Sequence, residues 1–225
     1  MEPITYLLAS QSPRRRALLG LLDGPLEVIV SGADEESGEF DSPADYVRQI
    51  AQRKAEATVA KLGTSDDRRR ILIAADTTVA LGDTIMAKPA DAADARRMLR
   101  ALRGGPHEVY TGLCVIDTGT GAEWTGYHLT RVTMRPYSDE EIERYIATGD
   151  PMDKAGAYAI QHATFRPVRA LEGCYLGVMG LSVCQLILAL RDLGVQVSGD
   201  RTGLAAAHDG FACPLLPEAL SILDH

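Results

Sequence analysis

Positive charge is in short supply: 23 lysines and arginines stand against 31 aspartates and glutamates, a formal net charge of −8 over 225 residues. That balance excludes a bulk electrostatic grip on nucleic acid, although it leaves room for a local basic pocket that holds a small anion. No apolar run approaches the roughly 20 residues that cross a bilayer. The opening MEPITYLLASQSPRRR has no long apolar core of the kind a signal peptide needs. The expectation is a cytoplasmic protein with neither membrane nor nucleic acid as partner. Cysteine is sparse as well. Cys114, Cys174, Cys184 and Cys213 form no CxxC pair and no short-spaced cluster with histidine. Their spacing argues against zinc, and a chain this large has no need of a disulfide framework. There is no GxxxxGK[ST] phosphate loop, no assignable Ser-His-Asp set and no internal repeat.

What is present is ordinary globular material, 46% hydrophobic and 24% charged, enough for one substantial domain or two small lobes. The chain is organised around Ile71 to Pro89, ILIAADTTVALGDTIMAKP. Ile71 to Ala75 is an apolar run that fits a buried strand, and it ends on Asp76. A carboxylate there is costly to desolvate unless a cation, a metal or hydrogen-bond donors hold it. The competing reading is a capped turn formed with Thr77 and Thr78.

Upstream, Ile4 to Ala9 predicts a strand, and Ser12-Pro13 predicts the N-cap and first position of a helix that opens on Arg14-Arg15-Arg16. Cations at a helix N-terminus run against its dipole. Either something negative compensates them, such as an anion on the free N–H groups, or the turn is simply solvated. Leu26 to Val30 predicts a second strand, followed by the acidic loop Asp34-Glu35-Glu36. Ser42-Pro43 starts a helix through about Leu62 with Val47, Ile50, Ala51, Ala55 and Thr58 inward. Lys54 lies on the apolar side of that helix. It either snorkels to water or reaches into a cleft.

Downstream, Asp91 to Arg103 predicts a helix, and two long strands follow, Glu108 to Asp117 and Ala122 to Met134. Ser138 opens another helix that Gly149 stops. Residues 149–161, GDPMDKAGAYAIQ, have no clean period and predict a functional loop with a short helix. A strand near Val168 to Leu171 and an apolar helix near Leu181 to Leu193 come next. The alternation predicts an α/β or mixed α+β architecture. A tail from about residue 198 holds mixed glycines, prolines and small residues, with a short helix at Pro217 to Leu223.

Several of these elements end on a charged or amide group: Ser10, Arg14, Arg15, Glu35, Lys54, Asp76, Lys88, Lys154 and Gln161. If they converge, the inventory suits a polyphosphate with a divalent metal, since Arg and Lys cradle phosphates and carboxylates hold the metal or a water. The ordered set LLASQSPRRRALL, AADTTVALGDTIMAKP, MLRALRGGPHEVYTGLCV, DPMDKAGAYAIQ and LEGCYLGVMGL resembles the Maf family of nucleoside triphosphate pyrophosphatases over about residues 5–195.

The resemblance implies an α/β fold with a mixed sheet, two-lobed like the inosine triphosphate pyrophosphatases, with the site in a central cleft. It assigns a pyrophosphatase domain to residues 1–197 and leaves 198–225 as a tail of unassigned role. It implies hydrolysis of a nucleoside triphosphate to the monophosphate and pyrophosphate with Mg2+ or Mn2+, and a homodimer. Carried over, Asp76 is the proton acceptor and, with Glu35, an acidic metal-side residue. Lys54 and Lys88 join Asp76 in the catalytic set. Ser10, Arg14, Arg15, Thr77, Lys154 and Gln161 are substrate-side. Arg14-Arg15, Asp76-Thr77 and KAGAYAIQ resemble the branch acting on dTTP and UTP in a housecleaning role. The sequence departs from the family pattern at Ala159, His162, Gly177 and Ser182, which bears on the shape of the base pocket. Gln161 has a physical rationale as a base reader, because its amide presents a donor beside an acceptor, as the uracil and thymine edge does. Two other readings stay open: a pyrophosphatase for other noncanonical nucleotides, and a nucleotide-binding regulator of cell division or morphology with little turnover.

Overall fold

The computed structural model describes residues 4–33, 39–62 and 69–223. In chain order these form β1 (Thr5–Leu8), α1 (Pro13–Leu19), β2 (Leu26–Val28), α2 (Pro43–Val59), β3 (Arg70–Leu81), β4 (Thr84–Met86), α3 (Ala92–Leu102), β5 (Pro106–Asp117) and β6 (Glu123–Met134). Then come α4 (Asp139–Ile146), two short 3-10 turns at Asp150–Asp153 and Ala155–Ala157, β7 (Val168–Glu172), α5 (Tyr175–Met179), α6 (Val183–Asp192), α7 (Arg201–Ala206) and α8 (Leu216–Ile222).

The strands make one mixed sheet in the order β2-β1-β3-β5-β6-β7, with β4 paired to β3 beside this path. β1 runs parallel to both β2 and β3, and the remaining pairs are antiparallel. This is the expected α/β architecture, with helices on both faces.

The period of two along β3 divides the core. Ile71, Ile73 and Ala75 join Tyr6 and Leu8 in a large cluster that takes in α1, α3, α4 and α6. Leu72 and Ala74 join Leu7, Ala9, Cys114 and the Ala51/Ala55 face of α2 in a smaller one. α2 can lie this close because Gly112 on β5 has no side chain: a Cβ there would sit 2.1 Å from the Val47 carbonyl oxygen.

The helix starts follow their caps. Ser12, Ser42 and Ser138 each accept from the backbone N–H three residues on, and Glu141 completes a capping box at Ser138. One expectation is revised. β3 does not end at Asp76 but continues to Leu81, because β5 pairs with it without a break from Ile71↔Asp117 to Ala80↔Glu108. A partner strand thus carries the ladder through a carboxylate and two threonines, where local sequence suggests a stop.

The segment after residue 197 packs on the body. Leu204, Cys213 and Ala219 are buried in the large cluster, and Phe211, Leu215, Leu216 and Leu220 pack against it. Leu22 and Gly199 form a β-bridge, which fixes the start of this segment beside α1. Among the described residues no helix is long and apolar enough to cross a membrane.

Candidate active site

β3 has two edges. β5 fills one along nearly its whole length, while β1 and β4 share the other. β1 stops at Leu8 opposite Ile73, and β4 begins its pairing at Val79. Residues 74–78 of β3 are therefore left between them, and Asp76 stands in the middle of that gap. It is the position in an open α/β sheet where a crevice forms beyond the carboxyl end of a parallel strand.

Asp76 follows Leu72 and Ala74 in the alternation, so its side chain faces α2. There Lys54 Nζ donates to Asp76 Oδ1 at 2.7 Å. Lys54 is 6% exposed and Asp76 8%. A pair so withdrawn from water persists because each charge is the other's partner, and removing either strands the survivor. Of the two readings of Lys54, it reaches into the cleft and does not snorkel out.

Thr77 follows Ile73 and Ala75 and faces the other way. Its hydroxyl lies 3.3 Å from that of Thr111, its cross-strand partner, and donates to the Gly180 carbonyl at 3.4 Å. Arg15 Nε donates to the same carbonyl at 2.8 Å. Arg15 also reaches Ser10 Oγ at 3.2 Å through Nη1 and Thr77 Oγ1 at 3.5 Å through Nη2. Gly180 adopts φ +128, a conformation that a side chain would strain, and so turns its carbonyl toward this group. Thr111 Oγ1 in turn donates to the Gly177 carbonyl at 2.8 Å. Thr111 and Gly180 were not singled out from sequence. The alternation within β5 could have flagged Thr111, whereas Gly180 is an ordinary glycine in GVMG.

Lys54 and Asp76 thus meet on one face of β3, and Ser10, Arg15 and Thr77 meet on the other, the two groups carried by adjoining residues of the strand. The remaining expected residues are differently disposed. Arg14 points to Asp153 at 3.7 Å. Lys154 is buried, and its ammonium donates to the Asp150 carbonyl at 2.5 Å, Asp150 Oδ1 at 2.9 Å and Asp153 Oδ1 at 2.6 Å. All three of its donors are engaged inside the loop, which makes it a brace behind Arg14. Burial works against ionisation of Asp150, but the Tyr145 hydroxyl and Lys154 outweigh it and hold the carboxyl below its ordinary value. Asp153 is lowered in the same way, with Lys154 and Arg14 outweighing burial. Tyr145 stacks on Phe165 with ring centroids 4.3 Å apart, and its oxygen accepts from the Ala159 N–H at 2.9 Å. That tyrosine clamps both ends of the loop, a role its place in the inward stripe of α4 did not suggest.

Lys88 is exposed on the segment after β4. Gln161 lines a cavity of about 370 Å³ with Leu18, Tyr175, Met179, Ala206, Ala207 and Asp209. Three of these seven come from the segment after residue 197. Glu35 lies outside the described residues.

Toward a divalent metal the described residues offer one hard ligand. Asp76 Oδ2 accepts no hydrogen bond from the described residues, leaving one hard carboxylate oxygen at the gap for a hard cation that prefers oxygen ligands.

A family profile described as Maf-like protein matches residues 5–193. The chain belongs to the Maf family. Curated relatives agree. A dTTP/UTP pyrophosphatase of Desulforamulus reducens is 43% identical over 197 residues, 88% of this chain and 100% of the relative. One from Alkaliphilus metalliredigens is 46% identical, covering 80% and 91%. One from Salinibacter ruber is 45% identical, covering 82% and 89%. The Maf match takes in every site residue named above except Ala206, Ala207 and Asp209, and it ends before α7 and α8.

Proposed function

We propose that this chain hydrolyses dTTP and UTP to the monophosphate and pyrophosphate, in a housecleaning role. The observation that carries the reading is the buried Lys54–Asp76 pair in the gap of β3, with the Arg15–Ser10–Thr77 group on the adjoining residue. A water-activating carboxylate is superfluous in a protein that only binds nucleotides, so this pair favours an enzyme over a binding regulator.

In this reading the Asp76 carboxylate accepts the proton of the attacking water, while Lys54 on Oδ1 fixes its orientation. Arg15 and Ser10 hold phosphate oxygens, with Arg14 and Lys88 reaching them from the flanks. Arg14 is aimed by Asp153, itself braced by Lys154. Positioning and charge stabilisation of this kind supply most of the catalysis in phosphoryl chemistry. A divalent ion, Mg2+ or Mn2+, held by Asp76 and Glu35 would neutralise charge on the triphosphate. Gln161 reads the pyrimidine edge. The cytoplasm and a homodimer complete the proposal on the strength of the family resemblance.

The test is pyrophosphate release across a panel of canonical and modified nucleoside triphosphates with Mg2+ or Mn2+. UTP and dTTP should lead the panel. Preference for a purine or another noncanonical nucleotide would replace the substrate assignment, and tight binding without turnover would replace the enzyme by a regulator.

A further inference from the structure

Cys174 immediately precedes α5, Cys184 lies in the first turn of α6, His208 follows α7 and Cys213 precedes α8. Spread along 174–213 they carry no metal motif, yet the fold brings one ligand atom from each to within 4.8 Å of all the others. The four are 0%, 0%, 1% and 6% exposed. Cys184 Sγ and His208 Nε2 are 3.6 Å apart.

The surroundings prepare these groups. His208 Nδ1 lies 2.8 Å from the Leu204 carbonyl oxygen, which can only accept. The ring proton therefore sits on Nδ1, and the Nε2 lone pair faces the sulfurs. Metal-bound histidines are held through their second nitrogen in this way. Ser182 Oγ donates to Cys174 Sγ at 3.3 Å, a contact that supports a sulfur carrying negative charge.

We propose that Cys174, Cys184, His208 and Cys213 form a structural zinc site that fastens the segment after residue 197 to α5 and α6. Bonds of about 2.3 Å to sulfur and 2.0–2.1 Å to nitrogen place the corners of a tetrahedral site about 3.5–3.8 Å apart. The Cys184–His208 distance already matches, and the widest separation needs to close by about 1 Å, within reach of side-chain rotation. Three thiolates with one imidazole select zinc over the hard cation expected at Asp76. Four protein ligands in a buried setting leave no open coordination position, so the site is structural. On binding, the three thiols release their protons to solvent and His208 enters neutral through Nε2. A disulfide would pair two of the sulfurs and leave the third sulfur and the prepared imidazole without a role. Cys174 and Cys184 lie within the Maf match and His208 and Cys213 beyond it, so the site ties the segment after residue 197 to the family body. The staple also borders the active site, because α5 and its following turn supply the Gly177 and Gly180 carbonyls that hold Thr111, Arg15 and Thr77.

The experiment is elemental analysis of the purified full-length chain, followed by chelation under reducing conditions and reconstitution with Co2+. The expected result is one zinc per chain and, with cobalt, intense sulfur-to-metal charge-transfer absorption with tetrahedral ligand-field bands. Cys213→Ser and His208→Ala should lose the zinc, and Cys114→Ser, whose thiol is buried elsewhere, should keep it. If the cluster variants do not fold, the zinc content and cobalt spectrum of the wild-type chain decide the matter. A folded wild-type chain that takes up neither metal, or a disulfide within the cluster in the chain as isolated, overturns the proposal.

Discussion

Asp76 and Thr77 are neighbours in β3 and serve opposite faces of the sheet: the carboxylate meets Lys54 on α2, and the hydroxyl meets Thr111 and the Gly180 carbonyl. One strand, in the gap between β1 and β4, thereby presents a buried ion pair on one side and an arginine-bearing network on the other. The alternation that sorts Ile71 to Ala75 into two cores also sorts the chemistry.

That arrangement depends on how closely α2 approaches β5, and Gly112 tests it. Gly112→Ala places a Cβ against the Val47 carbonyl, a backbone atom that cannot rotate aside. Overpacking typically costs about 1–3 kcal/mol, which lowers Tm by roughly 3–10 °C in a chain of this size. Activity should fall in the folded fraction as well, because α2 carries Lys54. Unchanged Tm and turnover would show that α2 has slack at this contact.

The elements near the site were largely legible in the sequence because their signals are local. Ser12-Pro13, Ser42-Pro43 and Ser138 announce helices through caps, and the apolar run at Ile71 announces a buried strand. What was not legible depends on distant partners. β3 continues through Asp76 because β5 pairs with it. Gly112 matters because of a carbonyl on α2. The cysteine spacing argues against zinc, whereas the fold draws Cys174, Cys184, His208 and Cys213 together from separate elements. Lys154 was expected against substrate, but the 3-10 turn beside it offers Asp150 and Asp153 first.

Gln161→Ala should change preference more than rate. Gln161 lines a cavity separate in sequence from the arginine and lysine positions proposed to hold phosphate, so kcat/KM values for UTP, dTTP and CTP should converge by about tenfold. A common loss on all three substrates, with the ranking kept, would mean that Gln161 only braces its loop.

Ending the chain after Val197 should destabilise it markedly. Leu204 and Ala219 are fully buried, and losing the burial of a leucine side chain costs about 1.5–3 kcal/mol. Because Ala206, Ala207 and Asp209 line the Gln161 cavity, base preference should also loosen, while metal-dependent turnover persists in the folded fraction. Thermal melts and substrate ratios on the truncated chain check both. An unchanged Tm would show that the extension merely rests on the body.

Stability should fall on mild acidification. Burial lowers the pKa of His107 to about 4, and its Nε2 lies 2.8 Å from the Tyr158 hydroxyl. The unfolded chain takes up a proton near the ordinary value of about 6.5, before the folded chain does, so stability present above that pH drains as pH drops toward 4. His107→Gln should flatten the Tm-against-pH curve over that window. An identical slope in the variant would assign the effect to other groups.

The central claim is that the carboxylate of Asp76, held by Lys54, activates the water that cleaves the triphosphate. The direct measurement is kcat/KM for UTP of Asp76→Asn, taken on protein whose far-UV spectrum and UTP affinity match the wild type. The asparagine keeps the shape and loses the base, so turnover should drop by about 10²–10⁴-fold with nucleotide binding retained. Near-normal turnover in that folded variant would contradict the account.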